Sequence, residues 1–194
     1  MTDTELRALI DAGHTDRATE EILRAYGTEL IQWLQSMLPH GDLAYDAFSW
    51  LSEELWKSLP RWDGRCSIRT WCYMLARHAI FRVRRAPREK HELLVSQIPS
   101  IAHAVTHVWD ASRARAVHER DVYAEIRDSL DEDDRTLLVL RVDRDLAWRD
   151  IAIVMLGEDA DADALTKRAA ALRKQFERVK QILRAKISDR DASE

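Results

Sequence analysis

The sequence predicts an all-α protein built from two small helical domains joined by a linker, the second containing a helix-turn-helix. Only five glycines and four prolines interrupt its 194 residues. β-branched residues are sparse beside Ala, Leu, Arg and Glu, which favour helices. Apolar residues recur every three or four positions, the spacing of amphipathic helices. With 46% hydrophobic and 33% charged residues, the composition is that of a folded chain.

The first predicted domain, residues 1–90, contains four helices whose ends carry turn or cap residues. The first is closed by Gly13, and Pro60 and Pro87 end the third and fourth, because proline cannot continue a helix. The predicted helices cover residues 4–12, a stretch from Thr15 or Asp16 to Pro39, residues 43–59, and a stretch from Ser67 to Pro87.

The apolar pattern loosens over residues 91–118, which we interpret as a linker with a helix over 101–117. The second predicted domain follows at residues 119–188, and residues 189–194 are expected to be a disordered tail. The predicted helices of the second domain cover residues 122–130, a stretch capped by Asp131, residues 147–156 before Gly157, and residues 165–187. A short helix, a turn and a basic helix form the layout of a helix-turn-helix that reads DNA.

Positive charge is concentrated in two segments, although the net charge of the chain is −4. Residues 61–91 hold nine Lys and Arg against two acids, and residues 165–187 hold eight against one. Two basic segments far apart in the sequence predict one extended polyanion contacted at two places.

The first basic segment interleaves arginine with aromatic residues. A stripe at steps of three, four, four and three shares one face of the fourth helix, which we expect to be exposed: Thr70, Tyr73, Arg77, Phe81 and Arg84. Rings stack on bases for about 1–3 kcal/mol each and arginines hold phosphates, so the stripe favours single-stranded nucleic acid. The alternative is a solvated helix whose Tyr and Phe pack against a neighbour.

The second basic segment presents polar side chains opposite its apolar stripe. The outward residues are Arg168, Arg173, Lys174, Gln175 and Arg178. Arg pairs with guanine edges and Gln with adenine edges, while Lys meets phosphate, so this face predicts contact with duplex DNA. The alternative is an ordinary solvated face.

Other chemistry is not indicated. His103 and His107 stand one turn apart without a third ligand, so neither a metal nor another cofactor is predicted. Cys66 and Cys72 match neither a disulfide framework nor a metal knuckle, which favours a cytoplasmic location. The N-terminus has no signal-peptide layout, and no apolar run predicts membrane insertion. Without a phosphate loop or a nucleophile elbow, an enzyme is not expected.

Two stretches resemble a known family. DLAYDAFSWLSEELWKSLPRWDGRCSIRTWCYMLARHA, residues 42–79, resembles the core-binding and promoter-melting segment of bacterial extracytoplasmic-function (ECF) sigma factors. SLDEDDRTLLVLRVDRDLAWRDIAIVMLG, followed by LRKQFERVKQIL, is similar to their second domain. The resemblance covers about residues 4–187, with the two parts in the family's order.

The resemblance implies a sigma factor that binds RNA polymerase core enzyme and directs promoter recognition and melting. Its partners would be the core enzyme and promoter DNA, with an anti-sigma factor or a Ser/Thr kinase as further candidates. Core binding would fall to Asp42, Asp46, Ser49 and Glu53. Promoter melting and single-strand binding would fall to Trp62, Arg65, Arg69, Trp71, Tyr73, Arg77 and Arg84. Duplex binding in the minus-thirty-five major groove would fall to Arg173, Lys174, Gln175 and Arg178.

The chain departs from the family in three places. Tyr45, Asp46 and Ser49 stand where the family carries acids and a glutamine, so docking on a basic clamp is expected to be weak. We therefore hypothesise that phosphorylation of Ser49 or Ser52 restores about −1.5 to −2 charges there. The alternative is that both serines are merely small exposed or packed residues. His78 replaces an asparagine, and the stretch after Gly157 is longer than in the family.

Two rival readings stay open. One is a helix-turn-helix regulator that never binds polymerase, which leaves the arginine–aromatic stripe unexplained. The other is a sigma-like interaction protein, such as a decoy that captures an anti-sigma partner without activating polymerase. The weak acidity of the predicted clamp face favours the second.

Overall fold

The computed structural model describes residues 2–38, 41–85, 98–116 and 129–191. Within these ranges the chain is helical apart from short connections and contains no strand, which confirms the all-α prediction. It divides into two compact units, Met1–Glu119 and Arg120–Glu194. The helices of the first unit are α1 (Asp3–Asp11), α2 (Thr15–Met37), α3 (Gly41–Ser58), α4 (Ile68–Arg85) and α5 (Pro99–Ala116). Those of the second are α6 (Glu132–Leu138), α7 (Trp148–Leu156) and α8 (Ala162–Asp191).

The N-terminus of α1 is fixed by a reciprocal cap. The Thr2 backbone N–H donates to the Glu5 carboxylate at 2.6 Å, and the Thr2 hydroxyl accepts from the Glu5 N–H at 3.3 Å. These hydrogen bonds lower the pKa of Glu5. The helix closes at Gly13, whose φ of 78° is the left-handed conformation that glycine tolerates best. The next helix is preceded by His14 and lacks a side-chain cap, so the cap predicted at Thr15 or Asp16 is wrong.

The core of the first unit lies around α2, which packs against α3, α4 and α5. Helix α3 contributes Phe48, Leu51 and Leu55 to the buried interior. Apolar residues of α4 recur in the sequence at steps of three and four, which predicts an inward stripe, and all five are buried: Ile68, Trp71, Leu75, Ala79 and Val83. The periodicity of apolar residues therefore identified the inward side of this helix correctly.

The helix predicted over residues 101–117 is present as α5, but it packs within the first unit instead of lying in the linker predicted over residues 91–118. Residues 99–116 form a helix of the first unit, because four apolar side chains at helical spacing are buried against it: Ile101, Ala104, Val105 and Val108. The approach to α2 is close, since a Cβ atom added to Gly27 would lie 2.6 Å from a methyl group of Val108. A hydrogen bond of 3.0 Å joins Ser112 to Gln35. Residues 91–97, 117 and 118 lie outside the described residues.

The second unit packs α8 against both α6 and α7. Asp131 caps α6 as predicted by accepting from the Asp134 N–H at 2.8 Å. A π-helical turn, Val139–Asp143, continues α6, and α7 ends at Gly157, whose φ is 94°. The tail predicted to be disordered from residue 189 is helical as far as Asp191. Residues 192–194, and residues 122–128 of the predicted helix 122–130, lie outside the described ranges.

None of the helices in the described part of the chain is both long and apolar enough to cross a membrane.

Candidate nucleic-acid interfaces

The polar face predicted on α3 divides into exposed and covered positions. Asp42 and Asp46 are exposed. The side chain of Glu53 is only 14% exposed and forms an ion pair with Lys57 one turn later. Ser49 is buried at 5% exposure, so it belongs to the interior and not to this face. The candidate docking ridge therefore consists of two accessible carboxylates and a third that is already paired.

The burial of Ser49 and Ser52 does not favour the phosphorylation hypothesis for the folded chain. Ser49 is buried, and Ser52 is fully buried with its hydroxyl donating to the Phe48 carbonyl at 2.8 Å. A kinase needs an extended, accessible segment, whereas both serines lie inside a packed helix. Both serines are packed, which favours the alternative that they are merely small exposed or packed residues.

The loop that begins at Trp62 closes around its own tryptophan. Trp62 is 2% exposed, and its indole N–H donates to the Cys66 carbonyl at 3.1 Å. The Arg7 guanidinium of α1 donates to the Trp62 carbonyl. At the exposed tip the Arg65 backbone N–H and guanidinium both donate to Asp63, which lowers the pKa of that carboxyl. Of the two predicted melting residues in this loop, only Arg65 is accessible.

Arg69 is held between helices. Its guanidinium donates to both carboxylate oxygens of Glu29 on α2, each at 2.8 Å, and lies 5.7 Å from the centre of the Tyr73 ring. The hydrogen bonds to Glu29 raise the pKa of Arg69. A guanidinium that is already paired with a carboxylate is a poorer phosphate ligand, so this predicted role is not favoured.

Trp71 and Tyr73 lie in the interior of the first unit, at 3% and 0% exposure. The Tyr73 ring meets Trp33 of α2 edge to face, with centroids 5.3 Å apart. The prediction that Tyr73 and Thr70 share an exposed face is therefore wrong. The stripe starts on the side of α4 that faces α2, and it emerges at the surface only from Arg77 onward.

The C-terminal half of α4 is where cations and rings are accessible. The Arg77 guanidinium lies 4.6 Å from the centre of the Phe81 ring, and the Arg82 guanidinium lies 5.6 Å from the Trp50 ring of α3. Arg82 is exposed, and the other three side chains are half-buried. We call Trp50, Arg77, Phe81 and Arg82 the basic–aromatic surface. Sequence reasoning missed Trp50 because the contact with Arg82 joins residues that are 32 positions apart.

Arg84 is exposed but anchored. Its guanidinium donates to the Met37 carbonyl at the end of α2, at 2.8 Å. This hydrogen bond satisfies a carbonyl group at the C-terminus of α2. The positive charge of the guanidinium also interacts favourably with the negative end of the helix dipole. The neighbouring Arg85 is exposed as well.

In the second unit, most residues predicted to contact duplex DNA line one open cleft of about 710 Å³ between α8 and the start of α6. One wall carries the predicted contacts Arg168, Lys174, Gln175 and Arg178, together with Ala171. The opposite wall carries Asp131, Glu132 and Asp133. The predicted reading residues therefore face carboxylates of the same chain.

Asp134 ties the two walls together. This residue is 3% exposed, and its carboxylate accepts from the Gln175 amide at 2.7 Å and from the Arg178 guanidinium at 3.3 Å. Gln175 is therefore engaged inside the protein, which does not favour its predicted contact with adenine. Arg168 is also in contact, with its guanidinium 3.1 Å from the Met155 sulfur.

Arg173 lies on the other flank of α8. Its guanidinium is 5.8 Å from the centre of the Trp148 ring, and the Arg141 guanidinium is 4.9 Å from the same ring. The edge of Phe176 packs on Trp148 with centroids 5.6 Å apart. Arg173, Lys174 and Arg178 are all exposed, but Arg178 is paired with Asp134, so Arg173 and Lys174 are the exposed predicted duplex contacts outside that pair.

The longer stretch after Gly157 goes mainly into the helix. The connection covers residues 157–161, and α8 begins at Ala162, where the Asp161 carboxylate accepts from the Ala164 N–H at 2.7 Å. Lys167 is paired with Asp163 at 2.6 Å. Most of this stretch therefore belongs to the N-terminal end of the basic helix.

His103 and His107 are both exposed on α5. Within the described ranges, no group of three or more His, Cys, Asp or Glu side chains is arranged to hold a metal ion.

Comparison of the chain with protein-family models, with curated proteins and with solved structures found no match in any of the three.

Proposed function

We propose that this chain is an ECF-type sigma factor, a cytoplasmic subunit that binds RNA polymerase core enzyme and directs promoter recognition and melting without catalysis of its own. The observation that carries the proposal is the basic–aromatic surface, which lies on the unit containing the sigma-like stretch 42–79. Paired rings and guanidinium groups suit an opened DNA strand, because rings stack on bases and cations hold phosphates.

The melting role is assigned to the surface and not to the interior. Trp50, Phe81 and Arg82 take the place of Trp62, Trp71 and Tyr73, which the fold uses as core. Core binding is assigned to Asp42 and Asp46, the accessible carboxylates of α3. Two carboxylates give modest attraction to a basic clamp, since exposed ion pairs each contribute about 0.2–1 kcal/mol.

Duplex binding is assigned to the second unit. We infer that α7 and α8 act as a helix-turn-helix in a separate domain, because α7 ends at Gly157 and packs against a basic helix. Arg173 and Lys174 are the residues expected to reach the phosphates first, since their side chains are exposed.

Run-off transcription tests the proposal. Core polymerase, the purified chain and genomic fragments should yield product from a defined start, and a Trp50→Leu, Arg82→Gln variant should yield less at the melting step. Binding to DNA without any product supports the regulator instead. Failure to bind core polymerase by sedimentation or light scattering contradicts the proposal outright.

A second candidate is a sigma-like interaction protein that does not activate polymerase. Two observations favour it: the predicted melting aromatics are buried, and the predicted reading residues face an acidic wall. Such a protein should capture an anti-sigma partner and relieve inhibition of another sigma factor, without supporting transcription itself.

A further inference from the structure

The cleft of the second unit places six charged side chains on two facing walls, three cations on one and three carboxylates on the other. The cation-bearing wall belongs to α8 and the carboxylate wall to the first turn of α6. The aspartates at the start of α6 differ in burial. Asp134 is buried and hydrogen-bonded to Gln175, whereas Asp131 and Asp133 at the mouth are exposed.

We propose that the acidic first turn of α6 is an electrostatic gate that competes with nucleic acid for the cation-bearing wall of α8. This inference rests on the proposed DNA-binding function. The gate consists of Glu132 and Asp133, and the wall that it faces consists of Arg168, Lys174 and Arg178.

The competition follows from the chemistry of the two anions. A carboxylate and a phosphate oxygen both accept charge-assisted hydrogen bonds from guanidinium and ammonium groups, so one displaces the other. The gate and the wall line the same cleft, so the carboxylates act on the cations at short range, where salt screens their field least. A polyanion entering the cleft must also overcome repulsion from these carboxylates.

Asp134 and Asp131 have structural roles in the fold of the cleft, so the proposed gate does not include them. Asp134 satisfies Gln175 and Arg178 from inside, and Asp131 caps α6 through the Asp134 N–H. Changing either would disturb the fold of the cleft. Glu132 and Asp133 lie at positions where an amide can replace the carboxylate without loss of the cap.

The test compares two double variants with the same change in net charge. Glu132→Gln, Asp133→Asn neutralises the gate, and Glu158→Gln, Asp159→Asn neutralises two acids of the connection after α7 that do not line the cleft. Each variant of the full chain is titrated with a short duplex of mixed sequence over a series of salt concentrations. The gate variant should bind about fivefold or more tightly than wild type, with a log–log salt slope steeper by about 1, because one more phosphate contact forms.

The control should gain clearly less affinity than the gate variant. Equal gains in affinity in both variants would assign the effect to net charge and overturn the gate. The gate is also overturned if the gate variant gains no affinity while its thermal unfolding matches that of wild type. Run-off transcription separates this result from the proposed function. If wild type supports transcription and the gate variant binds the duplex with unchanged affinity, the sigma role is supported and the gate is contradicted. If no variant binds core polymerase or duplex DNA, the sigma role and the gate are both contradicted.

Discussion

Both oxygens of the Glu29 carboxylate on α2 accept hydrogen bonds from the Arg69 guanidinium on α4, each at 2.8 Å. The two side chains are 22% and 32% exposed, so the pair is partly withdrawn from solvent. A bidentate pair in such a place is stronger than a surface ion pair, because water competes less for it.

Arg69→Gln should lower the free energy of unfolding by about 1–3 kcal/mol, since it leaves a partly buried carboxylate without its bidentate partner. The control is Lys167→Gln on α8, which breaks the exposed pair with Asp163 and should change the value by about 0.5 kcal/mol or less. Urea unfolding measures both. Equal losses would show that Arg69 is no more than a surface partner.

Gly27→Ala should destabilise the packing of α5 on α2 by about 1–3 kcal/mol, because the added methyl would meet Val108 at 2.6 Å. Gly41→Ala is the control, since nothing lies within 4 Å of its added Cβ. Hydrogen exchange of α5 should accelerate only in the Gly27 variant. A double variant with Val108→Ala should recover part of the loss; if it does not, this contact is not the cause.

Ser52→Asp should destabilise the chain by more than about 2 kcal/mol instead of activating it, because the carboxylate would be buried and the bond to the Phe48 carbonyl lost. Ser67→Asp, at an exposed position, should cost much less. Thermal unfolding compares the two variants. Efficient phosphorylation of Ser49 or Ser52 in the folded chain would contradict the packing described above.

Trp50→Leu should weaken binding of a single-stranded oligonucleotide by about 1–3 kcal/mol, if one base stacks on the exposed side of the ring. Tyr73→Phe is the contrasting variant, since Tyr73 is fully buried and should leave the affinity unchanged. Fluorescence anisotropy at fixed salt measures both. If Tyr73→Phe weakened binding more than Trp50→Leu, the melting role would belong to Tyr73, as the sequence predicted.

Burial raises the pKa of the Cys72 thiol, so this side chain should resist alkylation in the folded chain at mildly alkaline pH. The half-buried Cys66 should react first, as Cys66→Ser and Cys72→Ser variants would show by mass spectrometry. In the unfolded chain the thiol of Cys72 ionises near pH 8.5. Because the folded state retains the proton, its contribution to stability should be present below that pH and decline above it. A Cys72→Ala variant should show less of this decline.

The amino-acid sequence by itself determined the helices and most of their ends, because apolar spacing, proline and glycine act locally. The inward stripe of α4 and the caps at Gly13, Asp131 and Gly157 were all predicted from short stretches. Charge placement also identified both basic segments.

Only the tertiary structure decided which side chains of those helices are accessible. A helix has several faces, and the choice between Tyr73 and Phe81 as a surface ring depends on α2, which covers the first and not the second. The same holds for Gln175, which contacts Asp134 across 41 positions of sequence. It also holds for α5, whose helix was predicted but whose packing against α2 depends on the close approach of Val108 to Gly27. Contacts between residues that are distant in the sequence determine which side chains are buried and which are paired. Local sequence patterns do not contain this information.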